Sequence, residues 1–141
     1  MISALIEYAK AWLGIPYVYG GNNPLSGFDC SGYILWVLSF FGMSGGDKSA
    51  QAIYDHFSKP AIGYPLQVPE PGALVFYGKN NREISHVALS FDKYFILESA
   101  GGDSKTKTKA AAEKEGACVR QRMYNYRGDL VAIVMPKYPK L

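Results

Sequence analysis

The chain has little of what would fix a membrane, metal or disulfide architecture. Its two cysteines, Cys30 and Cys118, allow one bridge at most, and neither belongs to a C-x-x-C pair. Two histidines without ligand spacing add no metal set. The most apolar uncharged stretch, Cys30 to Gly46, is broken by Gly32, Ser39 and Gly42. Its continuous apolar part is far shorter than the roughly 20 residues that span a bilayer, so no membrane span is expected. The N-terminal Met-Ile-Ser-Ala carries no basic segment, and Glu7 and Lys10 interrupt what would be the apolar part of a secretory signal. Such a chain is expected to stay inside, to leave by another route or to be cut from a longer precursor. Strong charge of one sign is absent too: 15 Lys and Arg against 12 Asp and Glu leave a formal +3, too small and scattered to identify a nucleic-acid partner. No internal repeat or interdomain linker is found.

What is present is core material. Of 141 residues, 48% are apolar and 19% charged, which excludes overall disorder and fits one compact domain over residues 1–141. Ile2, Leu5, Ile6, Ala9, Trp12 and Leu13 recur at helical spacing behind Ser3 or its neighbour, with Gly14 and Pro16 as a stop. The stretch GIPYVYGGNNPLSGFD is dense in Gly, Pro and Asn and reads as a shaped loop. From Cys30 to Phe41 the residues are apolar on all sides, which predicts a helix surrounded by protein and closed by Gly42. Ala50, Ile53, Tyr54 and Phe57 behind Ser49 predict a short third helix ended by Pro60. After Pro71-Gly72, five short runs rich in Val, Ile, Phe and Tyr predict strands: 73–77, 84–91, 94–98, 117–123 and 130–135. The polar stretch from Ser99 to Gly116 is too hydrophilic for core, and its AAAEKE portion has good helix formers. Helices first and strands second define a segregated α+β fold.

Cys30 follows Asp29 at the start of the apolar helix, where unsatisfied N–H groups and the helix dipole favour an anion. A thiolate there is the nucleophilic form. On position alone, a nucleophile and a buried packing thiol are equally compatible. Asp29 and Ser31 suit helix capping, worth about 1 kcal/mol. His86 lies in a predicted strand that puts Ile84, His86, Ala88 and Ser90 on one face. Alone it is weak evidence, but one Cys and a sequence-distant His are the arrangement of cysteine hydrolases, whose partners meet in space. Cys118 alternates with Val119 beside Arg120 and Arg122 and reads as structural, and His56 reads as a surface or packing residue. The Lys105, Lys107 and Lys109 cluster reads as a solvated loop with a weak pull on anionic polymers.

Four segments resemble, in order, the boxes of the NlpC-type papain-like cysteine peptidases, which cut peptide bonds in bacterial cell walls. GIPYVYGG is similar to the family's G-x-P-Y-x-x-G-G loop, FDCSGY to its nucleophile box, PGALVFY to its P-G-D-L-V-F-[FY] strand and ISHVAL to its histidine box. Together they cover most of residues 1–98. The resemblance implies a papain-like α+β fold with the nucleophile at the start of a buried helix, packed on an antiparallel sheet of about five strands. It implies Cys30 as nucleophile, His86 as general base and Tyr17 as the tyrosine beside the sulfur, with Tyr17, Asp29 and Ser31 meeting substrate. The residue that orients the histidine, in the family most often His, Asn or Gln, falls at Glu98, whose carboxylate can accept the imidazole N–H. Ala73 stands where the family usually has Asp, and the segment before the third helix lacks the family's common Arg. No cofactor is implied. The implied partner is a peptidoglycan stem peptide, cut at a D-glutamyl to diamino-acid bond, with action on the cell wall. An acyltransferase or amidase on the same scaffold is the alternative, as is a non-catalytic wall-contacting subunit of a phage-like particle. The small size and missing leader suit a phage or prophage origin.

One geometric expectation follows for Glu98. A two-residue turn at Asp92-Lys93 would set Val87 opposite Glu98 and turn the carboxylate away from His86. A three-residue connection, Asp92 to Tyr94, instead pairs Phe91 with Phe95 and Ala88 with Glu98, which brings Glu98 to the His86 face.

Overall fold

The computed structural model describes residues 1–43 and 49–140. Residues 44–48, in the segment before the third helix where the family's arginine is missing, lie outside the described residues. Helix α1 spans Ile2–Lys10 and buries Leu5, Ile6 and Ala9. It starts at Ile2 rather than behind a Ser3 cap, with Met1 in the capping position and no side-chain cap. It also stops short of Leu13. The next N–H groups turn back three residues instead of four, Trp12 to Ala9 and Leu13 to Lys10, the tightening usual at a helix end.

A two-stranded ribbon of β1 (Asn22–Asn23) and β2 (Gly27–Phe28) leads into α2, Cys30–Ser39. Helix α2 buries Ser31, Gly32, Tyr33, Ile34, Val37 and Leu38. It is not enclosed on every side as its sequence suggests, since Leu35 and Trp36 are half-buried and Phe40 beyond it is exposed. Trp36 meets Trp12 edge-on and Phe40 stacks on Tyr8, so aromatic contact with α1 and the following turn covers the remaining side. Gly42, at φ 71°, turns the chain so that the Met43 N–H returns to the Leu38 carbonyl. Helix α3, Ala50–Phe57, begins where the pattern predicts, with Ser49 Oγ accepting the Ala52 N–H at 3.0 Å.

The sheet comprises β3 (Gly63–Leu66), β4 (Leu74–Gly78), β5 (Ile84–Ser90), β6 (Phe95–Ala100), β7 (Cys118–Met123) and β8 (Leu130–Pro136). Its order is β3-β8-β4-β5-β6-β7, every pair antiparallel. Five of these strands match the predicted runs, and β3 is an additional edge strand. The predicted exposed turn before β7 is α4, Lys109–Glu115, capped by Thr108. Leu74, Phe76, Val87, Leu89 and Leu97 face the helices, while Ala73, Val75, Tyr77, Ala88 and Ile96 form a second cluster on the other face. Ile84 departs from the expected alternation and packs with the helix-side cluster, because the β4 to β5 register shifts between Tyr77 and Gly78. At that bulge the Ile84 N–H is taken up by Gln51 Oε1 of α3 at 2.8 Å. No helix among the described residues is long and apolar enough to cross a membrane.

The lead-in to α2 is held by backbone contact. Asp29 N–H donates to the Gly21 carbonyl at 3.0 Å, and a Cβ on Gly32 would collide with that same oxygen. Alanine is the better helix former by about 1 kcal/mol, but overpacking against fixed backbone costs about 1–3 kcal/mol. Gly32→Ala is therefore expected to lower stability despite its propensity, measured as a fall in the urea midpoint; an unchanged or higher midpoint would show that the loop yields.

Candidate active site

Cys30 opens α2, half-buried, with Asp29 as the cap. Asp29 Oδ1 accepts the Gly32 N–H at 2.7 Å and the Ser31 hydroxyl at 3.2 Å, and Oδ2 accepts the Gly20 N–H at 3.1 Å. One carboxylate thus fixes both the helix start and the preceding loop. That loop is tied to the residue before β7 by Tyr17 N–H to Ala117 O and to the β1-β2 ribbon by Val18 N–H to Phe28 O.

The β5–β6 connection has the three-residue form. Leu89 pairs with Leu97 and Ser90 with Ile96, Phe91 N–H donates to Phe95 O at 3.1 Å, and Asp92 Oδ1 accepts from Tyr94 N and Phe95 N at 2.7 and 2.8 Å. The ladder ends after those two strand pairs. Beyond it, side chains take over: His86 Nε2 lies 2.6 Å from Glu98 Oε1, and Ser99 Oγ donates at 2.7 Å to the carbonyl of Phe28, two residues before Cys30. With Nε2 engaged by Glu98, Nδ1 is the ring atom left to meet the Cys30 thiol, which lines the same cavity as the imidazole. Cys30, His86 and Glu98 therefore form one row.

Burial on its own would favour neutral imidazole, but the hydrogen bonds to Cys30 and Glu98 and their charges outweigh it and push the His86 pKa up to about 9. Burial would likewise raise the Glu98 carboxyl, and its His86, Tyr126 and Arg120 partners reverse that and hold it below the usual range. Glu98 is fully buried. Its three donors are His86, Arg120 Nε at 3.0 Å from Oε2, and the Tyr126 hydroxyl at 2.9 and 2.8 Å from Oε1 and Oε2. Arg120 and Tyr126 are partners of Glu98 that the sequence pattern does not single out. The available signal was a carboxylate expected inside the fold with a strand of alternating arginines to follow.

The thiol sits between two cavities. One, of about 310 Å³, is lined by His86, Gly101, Gly102, Arg120, Tyr126 and Arg127; the other, of about 370 Å³, by Tyr19, Gly20, Asn22, Asp29, Ser31 and Ser49. Tyr17, Cys30 and Ser85 line both. The Tyr17 phenol is held protonated by burial and then by the nearby Cys30 and Asp29 charges. Cys118 lines a different cavity with Pro16 and Ala112, and His56 lies edge-on to Phe57 on α3. Among the described residues no cluster of three or more His, Cys, Asp or Glu could hold a metal ion.

A helix-borne thiol facing a strand-borne imidazole in an α+β fold defines the papain-like class of cysteine-peptidase sites. The NlpC/P60 family pattern matches residues 14–128, and the chain belongs to that family. It is 46% identical over 91 residues to the gamma-DL-glutamyl hydrolase of Bacillus subtilis, a match covering 60% of this chain and 20% of that protein. To the bifunctional muramidase/DL-endopeptidase CwlT of the same organism it is 32% identical over 87 residues, 60% of this chain and 25% of the relative. An NlpC/P60 family protein from Bacillus cereus has the same fold, with a TM-score of 0.73 at 19% identity, covering 99% of this chain and 41% of that one. The chain thus spans a fifth to a quarter of the length of these two curated relatives.

The site predicts a pH signature in stability. The raised His86 pKa contributes stability that is fully present below the unfolded value near 6.5 and is lost as pH rises through about 9. The lowered Glu98 pKa contributes stability present above its unfolded value of 4.5 and lost as pH falls through its folded one. Thermal unfolding should therefore show a fall in Tm between pH 6.5 and 9.5 that is smaller in Glu98→Gln. Equal falls in both proteins would mean that the ion pair does not form.

Proposed function

We propose that the chain, as one domain over residues 1–141, is a cysteine endopeptidase that hydrolyses peptidoglycan stem peptides, and that the bond cut joins a D-glutamyl residue to a diamino acid. The observation that carries this reading is the row of Cys30, His86 and Glu98 with a cavity on either side of the thiol. Space on both sides suits a substrate that continues past the scissile bond in each direction. The names of the two bacterial relatives, a gamma-DL-glutamyl hydrolase and a DL-endopeptidase, support the bond assignment, and the family supports action on the cell wall.

In this mechanism the Cys30 thiolate attacks the carbonyl carbon of the scissile amide. The backbone N–H of Cys30, without an intrahelical acceptor at the first helical position, is placed to meet the developing oxyanion. The His86 imidazolium gives its proton to the departing amine, leaving a thioester on Cys30. Neutral His86 then takes a proton from water, whose oxygen displaces the thiolate and releases the acid. Glu98 keeps the ring oriented and stabilises the imidazolium. Tyr17, Asp29 and Ser31 line the cleft, where their first task is structural: Asp29 caps α2, Ser31 donates its hydroxyl to Asp29, and Tyr17 packs on Gly102.

Two experiments test the reading. Cys30→Ser should abolish fragment release from purified peptidoglycan while leaving the fold intact, and Cys118→Ser should leave release unchanged; the opposite pattern sinks the assignment, and mass spectrometry of the fragments identifies the bond. Glu98→Gln keeps an acceptor for the imidazole but removes the charge, so activity should persist near neutral pH while the alkaline limb of kcat/KM moves to lower pH. Glu98→Ala should cost about 10²- to 10⁴-fold at every pH. Parental rates and profiles in both variants would reduce the catalytic unit to Cys30 and His86.

A further inference from the structure

The peptidase reading accounts for one of the three donors on Glu98. The other two come from segments that take no part in acyl transfer. Arg120 lies directly opposite Glu98 in the β6–β7 register, and Tyr126 belongs to the turn between β7 and β8 and shares its hydroxyl proton between both carboxylate oxygens. The other titratable groups around this pair are Cys30 from α2, Tyr77 from β4, and Arg127 and Asp129 from the same turn. Arg127 and Asp129 pair with each other through two bonds of 2.8 Å. The Tyr77 hydroxyl donates to the Tyr124 carbonyl at 2.6 Å, and its ring lies beside the imidazole with centroids 5.5 Å apart. Arg120 is thus the guanidinium whose charge is directed at Glu98.

We propose that Arg120, assisted by Tyr126, is a positioning residue that holds Glu98 as a tempered anion, so that the carboxylate orients the His86 imidazolium without locking its proton in place. The physical reason is competition for lone pairs. A carboxylate that already accepts from a guanidinium and a phenol has less negative charge to offer the imidazole N–H. With the guanidinium gone, the imidazolium is stabilised further and surrenders its proton less readily to a departing amine. A family histidine, asparagine or glutamine at the Glu98 position would carry no negative charge to moderate; a carboxylate does. The inference rests on the peptidase reading for its effect on turnover, and on geometry alone for the charge balance.

The test is an NMR titration of the His86 ring in the full chain, with His56 on α3 as the internal control, run beside the pH profile of kcat/KM. Arg120→Gln retains an N–H donor but removes the charge, and should move the His86 titration and the alkaline limb upward by roughly one pH unit, opposite to the shift expected for Glu98→Gln. Arg120→Lys should return both toward the parental values. Tyr126→Phe, which removes only a hydroxyl, should move them upward by less. A His86 titration that stays put or falls in Arg120→Gln, or a lysine variant no closer to the parent than the glutamine one, overturns the proposal. So does an unmoved or lowered titration in Tyr126→Phe, which answers the question even if the Arg120 variants fail to fold. A merely structural Arg120 would lower Tm and leave the titration where it was. Expected shifts in a parent that releases no wall peptides would disprove the peptidase reading alone, and turnover with unmoved titrations would disprove this proposal alone.

Discussion

A fully buried carboxylate is the constraint around which the rest of the molecule is arranged. An isolated Glu98 charge in this position would cost several kcal/mol in lost hydration, and the chain answers with three donors from three segments. Each requires its own piece of scaffold. His86 needs the bulge near the start of β5, Arg120 needs β7 in register with β6, and Tyr126 needs the turn after β7 to fold back over the sheet edge. The same demand explains why the β5–β6 ladder is so short. The strands part where a row of side chains must fit between them, and the N-terminal end of α2 docks there through Ser99 and the Phe28 carbonyl.

The helix end is built with comparable economy. Asp29 caps α2, binds Ser31 and holds the Gly20 amide, so the helix start, the loop and the wall of the neighbouring cavity are tied to one carboxylate. Gly21 and Gly32 let two backbones approach more closely than any side chain would permit. The aspartate thus joins the helix cap and the cleft wall in a single group.

Much of this was legible in the residues because the signals were local. Ser49 before an i, i+3, i+4, i+7 pattern located α3, and Asp29 before an apolar run located α2. The choice between a two- and a three-residue turn at Asp92 decided which way Glu98 faces, since a shift of one residue reverses every side chain of a strand. What was not legible depends on distant pairing. Strand β3 contains Pro65 and spans four residues; as an edge strand beside β8 it tolerates the proline, but nothing local marks it. Arg120 sits in an alternating strand whose outward residues look like ordinary solvated charge, and only the β6–β7 register shows its carboxylate partner. Tyr126 lies in a turn, where an aromatic residue carries no periodic signal. The early end of α1 has a similar origin, because Trp12 continues the helical spacing while its backbone already turns.

The order of the strands also bears on how the protein comes into being. Cys30, His86 and Glu98 all lie in the first 98 residues, yet β8, near the end of the chain, inserts between β3 and β4. A growing polypeptide therefore carries the proposed row of Cys30, His86 and Glu98 before the strand that closes the sheet exists. Until residues 120 and 126 have emerged, Glu98 has no cation or phenol to bury it against, and the carboxylate favours the open, hydrated chain. Burial of Glu98 thus waits on residues 120 and 126, and closure of the sheet waits on β8.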